Sequence, residues 1–525
     1  MAEWLRDYYN TVQEKFFGLY VFDEPFFVVK DPEIAKNGNS LPSKFYSNSL
    51  FSNNTVQEKF LGLYVFDEPF FIVKDPKIAK NFLLLQLFTR KFYSNSPFSN
   101  NTVQEKFLGL YVFDEPFFVV KDPEIAKNIT IRDFQHFTDR QVSGPSHDVL
   151  QQNFLFFQKS DVWKSARTKV TPAFTAGKMK AMYHLIDASG RDLSRWLETN
   201  AGPVEAKELA AKYSTNVIAK CAFGIDPECF VRAKPMFREM GRRFFDFSWR
   251  NGFCQTLYFL KPRWVDRLKI DFVDGTSLKY FAGVFLDTLN SRVDDVKHND
   301  FIDLLKELRK KEPFNDDQKL AGVAIQIFMA GFEPTASTIA FTMYEFSLNK
   351  EVQDKAREEV LGVLEKYNGE ITYEAAKDCT YLDMCMKETI RKYPVLPFLD
   401  RACTENYKVP GTDVLIEKGT AVIIPMYGFQ MDEQYFPDPY KYDPERFREK
   451  IDSDKGLIYM PFGEGPRICP GERFGLLTAK LAIMYTIRKF EIEKCERTPE
   501  RVEFEPKSFL FQSKVGLYIN FKTLN

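Results

Sequence analysis

The stretch Pro461-Phe-Gly-Glu-Gly-Pro-Arg-Ile-Cys-Pro-Gly-Glu-Arg-Phe-Gly475 decides the reading of this chain. Its glycines and prolines spell a loop that presents Cys469. A helix is expected to begin near Pro470, because proline is favoured in a first helical turn. Helix amides and the helix dipole at that place favour a thiolate over a thiol. Gly465 and Gly471 leave room for a flat ligand to approach the backbone. Arg467, two residues from the sulfur, is placed to pair with an anionic group on that ligand. A lone cysteine is usually a small buried hydrophobe. This one is framed by glycines and an arginine, and reads as a ligand site.

The other cysteines lie at 221, 229, 254, 379, 385, 403 and 495. They form no close CxxC pair and no dense framework, so neither a disulfide scaffold nor a zinc site is expected, and a reducing, cytosol-facing compartment is. The four histidines, His136, His147, His184 and His298, stand in no ligand spacing. Lys plus Arg total 72 against 73 for Asp plus Glu, so no bulk charge draws the chain to nucleic acid. With 525 residues, 44% of them apolar, the chain can bury a large core, and its 53 phenylalanines point to apolar ligands or an aromatic-rich interior. Met1 to Tyr9 carries charges and no apolar h-region, so no signal peptide is read there.

Upstream of the loop, helical patterns dominate from about residue 160, with strand signals between 400 and 425 and at the C-terminus. Leu320 to Tyr344 is nearly all apolar. Glu333 is its one charged residue. Gln326, Glu333, Pro334 and the Thr/Ser cluster 335–338 suit lipid poorly, and Asn315, Asp316 and Asp317 supply a soluble-style start. A long helix buried through the middle of the protein is therefore expected. Pro334 removes a backbone donor and crowds the carbonyl of Ala330, so that helix should kink or widen there. Glu333 and Thr335 then mark either a small-ligand or water site, or a packing kink with a satisfied threonine.

The first hundred residues repeat. Asn10–Asn37 recurs at Asn54–Asn81 and at Asn101–Asn128, differing only at Phe17/Leu61/Leu108, Val28/Ile72/Val119 and Glu33/Lys77/Glu124. Solenoid repeats let surface positions drift. Near identity throughout reads instead as duplication of one coding block, or an error in a gene model. Each copy should form a hairpin around Asp-Glu-Pro, then a short helix opened by Asp-Pro. The third copy alone runs directly into the body of the chain, so it is expected to be the integrated one. Residues 1–100 are then an appended or poorly ordered block whose copies compete for one sheet edge, and residues 101–525 the main domain.

The loop matches the haem-binding signature of the cytochrome P-450 family, Phe-x-x-Gly-x-Arg-x-Cys-x-Gly, at Phe462, Gly465, Arg467, Cys469 and Gly471. Four more matches follow in order. Trp163 and Arg167 resemble its Trp-x-x-x-Arg, Ala330-Gly-Phe-Glu333 its oxygen-binding segment, Glu388-Thr-Ile-Arg391 its Glu-x-x-Arg motif, and Pro444-Glu-Arg-Phe447 the partner loop. Asp133–Arg140, Pro172–Lys180 and Ala222–Ile225 resemble insect microsomal members that oxidise plant toxins and insecticides. The resemblance runs from about residue 105 to the end.

It implies a mainly α fold with a small β portion and a long central helix over the haem. It implies haem b, with Cys469 as axial ligand, whose thiolate pushes electron density onto iron and favours O–O cleavage. Trp163, Arg167 and Arg467 would hold the propionates, and Ala330, Phe462, Gly465 and Gly471 would line the cofactor. Glu388, Arg391 and Arg446 would lock the haem-side core. The implied reaction inserts one atom of O2 into a small apolar substrate, a xenobiotic or an endogenous lipid. Electrons would come from NADPH through the cytochrome P-450 reductase, with cytochrome b5 as a second donor. Substrate contacts would come from 143–158, Phe332, Val395–Leu399 and Phe509–Gln512.

Two departures qualify this. Where the family carries threonine after Ala-Gly-x-Glu, this chain has Pro334, so Thr335 or a water would take over, with Glu333 on the proton path. The alternatives are a catalytically impaired haem or hydrophobic-ligand binder, or an oxygen-independent isomerase. The apolar anchor helix and proline-rich hinge of microsomal relatives are absent, so location at the endoplasmic reticulum rests on resemblance. Phe244, Phe245, Phe247, Trp249 and Phe253 would meet a membrane surface, or else form a buried aromatic cluster.

Overall fold

The computed structural model describes residues 106–524, apart from 113–114, 201, 246–247, 294–295, 311, 313, 450, 452–455 and 506–507, together with the backbone of four strands before residue 74. Those strands are β1 (Phe16–Val21), β2 (Glu24–Val29), β3 (Phe60–Val65) and β4 (Glu68–Val73), paired as two separate hairpins. The third copy supplies β5 (Phe107–Val112) and β6 (Glu115–Val120) in the same register, Phe107 opposite Val120 as Phe16 is opposite Val29. Its hairpin is built into a larger sheet, ordered β5-β6-β11-β8, with β8 at Leu399–Ala402 and β11 at Ala421–Ile424. β6 runs parallel to β11, and Phe117, Phe118, Val119 and Val120 are all buried there. A parallel strand covered on both faces reads as a continuous apolar run, which Phe-Phe-Val-Val is.

The helix after this hairpin, α1 (Pro123–Lys127), is capped by Asp122, whose Oδ1 accepts from the amides of Glu124 and Ile125. The smaller strands are β7 (Val204–Glu205), β9 (Tyr407–Lys408) and β10 (Leu415–Ile416), and β12 (Phe490–Lys494) pairs with β13 (Tyr518–Thr523) near the C-terminus.

Helices form the body. They include α2 (Ser160–Val170), α3 (Ala176–Thr199), α4 (Ala206–Ile218), α5 (Met236–Arg243), α6 (Trp249–Leu260), α7 (Gly275–Ser291) and the 32-residue α8 (Asp317–Leu348). After them come α9 (Lys350–Lys366), α10 (Thr380–Lys392) and α11 (Glu472–Ile487). Asp316 caps α8, accepting from the amides of Gln318 and Lys319. That helix is apolar on nearly every face and threads the core. Among the described residues, no helix is long and apolar enough to cross a membrane.

Two expectations need correction. First, α8 continues as α-helix through Pro334 without the widened turn, one of the two expectations there. Proline's missing N–H still takes the i+4 donor from the Ala330 carbonyl, but packing on both sides carries the helix past the defect. Second, α11 begins at Glu472 with Gly471 as its cap, two residues later than Pro470 suggested. Of the two readings of the aromatic set, the buried cluster holds at two positions: Phe244 is core, with its ring 5.2 Å from Phe281, and Phe245 meets Phe332 at 6.0 Å. Of that aromatic set Phe253 is exposed, while Phe247 and the Trp249 side chain lie outside the described residues.

Candidate active site

Cys469 closes the loop that leads into α11. Its amide donates to the Phe462 carbonyl at 2.8 Å, which closes the backbone of the loop on its own start. The side chain is exposed although protein surrounds it, so it faces a hollow within the molecule. Burial pushes its thiol pKa up, opposed by the Gly471 amide, which donates to the sulfur, and by the Arg167 charge. The helix-end stabilisation expected from sequence is therefore present, and in the protein alone desolvation outweighs it. Phe462 and Gly471 are half-buried in the same loop.

Gly465 has a different reason to be glycine from the one expected. A Cβ there would lie 1.9 Å from the Thr130 carbonyl oxygen, and its φ is +70°. The bare backbone admits the segment that follows α1 and the third repeat copy, so residues 130–131 are seated directly on the cysteine loop.

The central helix offers a second exposed patch. Ala330 is exposed and Pro334 half-buried, one turn apart, while Phe328, Met329, Phe332 and Glu333 beside them are buried. An open alanine in the middle of a core helix marks a face lining a hollow.

Glu333 turns elsewhere. Its Oε1 accepts from Lys207 Nζ of α4 at 2.7 Å and from Gln512 Nε2 near the C-terminus, while Oε2 makes no hydrogen bond to a described residue. Lys207 also donates to the Glu333 carbonyl at 3.3 Å and to Ser337 Oγ at 2.7 Å. Burial lowers the Lys207 pKa and Glu333 opposes that shift. Thr335 is buried, and its Oγ1 would lie 3.8 Å from a Cβ on Gly475 of α11. Glu333 and Thr335 are thus on different faces, as i and i+2 positions must be, and the structure does not bring them together.

The charged residues were the least legible part. Arg467, buried, donates from Nε to the Thr138 carbonyl at 2.5 Å and from a terminal nitrogen to the Gln158 carbonyl at 3.0 Å, and its guanidinium lies 4.1 Å from the Trp163 ring centre. Arg167 donates to the Ile468 carbonyl at 2.6 Å. Around Arg467 stand residues the sequence reading did not assign: Arg140, Lys159, Asp400 and Arg401. Arg140 pairs with Asp400 at 2.7 Å, and Lys159 donates to the carbonyls of Arg140 and Val142. Arg401 is fully buried on β8, donates to its neighbour's carbonyl, and leaves Nε without a partner among the described residues. Burial, with Arg140 adding repulsion, pushes both Arg401 and Arg467 down to about 9. Asp400 stays below the usual range, since Arg140 and Arg401 together outweigh the burial that opposes its ionisation. The only sequence signal for this set was an Asp-Arg pair inside the otherwise apolar strand after Phe398.

Four cations, Arg140, Lys159, Arg401 and Arg467, face two carboxylates, Asp139 and Asp400, and so leave two positive charges uncompensated. An excess of two, with a buried guanidinium nitrogen left open, fits a flat ligand carrying two carboxylates, as haem does.

Glu388 and Arg391 are fully buried, and the half-buried Arg446 joins them. Arg391 grips Glu388 through two bonds of 2.6 and 2.8 Å and donates to the carbonyls of Gln430 and Pro439. Arg446 Nε lies 3.4 Å from Glu388 Oε1, an ionic approach without hydrogen-bond geometry. Segments expected at the substrate side also meet. Phe156, Phe259, Phe398 and Phe509 form a run of ring contacts with centres 5.6 to 6.4 Å apart. No group of histidine, cysteine and carboxylate side chains able to hold a metal by itself occurs among the described residues.

The sequence profile of the family described as Cytochrome P450 matches residues 73–519. The chain is 37% identical to cytochrome P450 6k1 of Blattella germanica over 419 residues, covering 75% of this chain and 80% of the relative. It is 35% identical to probable cytochrome P450 6a13 of Drosophila melanogaster, covering 75% and 81%. It is 36% identical to cytochrome P450 6j1 of Blattella germanica, covering 76% and 80%.

Proposed function

The chain belongs to the cytochrome P450 family, and from that premise we propose how its own residues carry the work. It is a haem b monooxygenase, in which the haem supplies oxygen activation. Cys469 holds the iron through sulfur. Arg140, Lys159, Arg401 and Arg467 hold the two propionates, with Trp163 stacked beneath Arg467 and Arg167 bracing the loop at Ile468. The observation that carries this assignment is the two-charge excess around the open Arg401 nitrogen.

Protons needed in turnover pass through Glu333, whose free Oε2 is the donor atom, with Lys207 and Gln512 holding Oε1. Thr335, seated against Gly475, sets the spacing between α8 and α11. Ala330 and Pro334 put no hydroxyl on the open face of α8, so a hydrogen bond needed there would come from an ordered water. The ring wall of Phe156, Phe259, Phe398 and Phe509 excludes water and orients a small apolar substrate, of the xenobiotic or lipid kind. Electrons arrive from NADPH through a reductase docking on the face near Cys469, with cytochrome b5 as an alternative donor, at the cytosolic side of the endoplasmic reticulum. Residues 1–100 are an appended duplicated block and residues 101–525 the catalytic domain.

The test is NADPH consumption and peroxide release with reductase and an apolar substrate. Product should form, and Glu333→Gln should divert electrons to peroxide several-fold more than Thr335→Ala. Pro334 favours a second reading, a haem-bound apolar-ligand carrier. That protein would bind substrate yet consume no NADPH.

A further inference from the structure

The slot beside β11 is an interaction surface with more than one matching occupant in the same chain. The third copy fills it by a parallel ladder, Ala421 opposite Phe117, Val422 opposite Phe118 and Ile423 opposite Val119. It also fills it by burying Phe117, Phe118, Val119, Val120, Ile125 and Ala126. Every one of those buried side chains recurs in the first copy, as Phe26, Phe27, Val28, Val29, Ile34 and Ala35. The polar fastenings recur too. Asp31 matches the Asp122 cap, Glu24 matches Glu115, which pairs with Lys261, and Glu33 matches Glu124, which pairs with Arg132. The one difference in the first copy is Phe17 for Leu108, a half-buried position on the outer strand β5.

The second copy differs from the third at two positions, and fits worse at both. Ile72 adds a methylene at the Val119 site, which is 1% exposed. Lys77 replaces Glu124 and sets a like charge against Arg132.

We propose that the first copy, residues 10–37, is a competent second occupant of the β11 slot and the second copy is not. The third copy holds the slot because it continues covalently into Ile129 and closes no loop. Substitution by the first copy requires residues 38–128 to loop out, and closure entropy grows only slowly with loop length. The same segment from a second copy of the chain meets the same slot without that loop.

The test uses the full chain and aspartate at equivalent positions, since a carboxylate at the Val119 site cannot be buried unpaired. Val28→Asp should leave the cooperative thermal melt unchanged. Val119→Asp should keep a melt within a few degrees of the parent, because the first copy steps in. Val28→Asp with Val119→Asp should abolish it, whereas Ile72→Asp with Val119→Asp should match Val119→Asp alone. Sedimentation of the Val119→Asp protein then identifies the donor: a monomer means the same chain, a dimer a second copy. If Val119→Asp alone is as damaging as Val28→Asp with Val119→Asp, or if Ile72→Asp removes the rescue, the proposal is overturned.

Discussion

At the scale of single residues, the site is governed by charges that the protein alone leaves unbalanced. Arg401 is the sharpest case, a fully buried guanidinium with an open nitrogen. An unpaired buried donor costs about 1–3 kcal/mol. Arg401→Met should therefore leave the haem-free protein as stable or more stable in urea, while the loaded protein loses haem faster to a haem-scavenging acceptor. A drop in haem-free stability with unchanged haem retention would make Arg401 a structural residue only. Lys159 yields a pH prediction. Its folded pKa is about 8, lowered from 10.5 by burial. Between those values the unfolded chain binds more protons than the folded one, so stability rises with pH across that window. The haem-free protein should gain up to about 3 kcal/mol from pH 8 to above 10 relative to Lys159→Met. Equal pH slopes for the two proteins would contradict the assignment. Cys469, Arg467 and the Glu388–Arg391 pair were legible from motif spacing. Arg140, Lys159 and Arg401 were not, because what gathers them is a contact across some 260 positions of sequence, such as Arg140 with Asp400.

At the scale of elements, α8 and the loop before α11 show what spacing predicts and what packing decides. The long apolar run and the Asp316 cap foretold a buried helix, and it is there. The widening at Pro334 did not follow, because a helix held on both sides tolerates one lost bond. Gly465 was readable as a required glycine, while its reason, the Thr130 carbonyl of another segment, was not. The tie between α4 and α8 is likewise tertiary. Lys207→Met strands the Glu333 carboxylate and should destabilise the protein by about 2–4 kcal/mol, somewhat less than a fully enclosed pair. Adding Glu333→Gln should recover most of the loss in a urea-unfolding double-mutant cycle. Strictly additive losses would show that the two side chains act independently. For the fully buried Glu388–Arg391 pair, Arg391→Ala should cost about 3–5 kcal/mol, read as a lower urea midpoint at unchanged slope.

At the scale of the whole molecule, the candidate site is assembled from segments that share no local pattern. The segment after the third repeat copy seats the cysteine loop, β8 brings Asp400 and Arg401, α2 brings Trp163 and Arg167, and α8 adds the face of Ala330 and Pro334. Each side chain sits where a fold of this size can hold it rigidly, which is why motifs spread over more than 300 residues converge. Residues 1–100 repeat what the third copy already supplies, so their removal should leave haem binding intact. The most direct measurement is the reduced, carbon-monoxide difference spectrum of the full chain beside Cys469→Ala. The account predicts a red-shifted thiolate Soret band in the parent and its loss in the variant. A parent without that band, or a variant that keeps it, would contradict the assignment of Cys469 as the iron ligand.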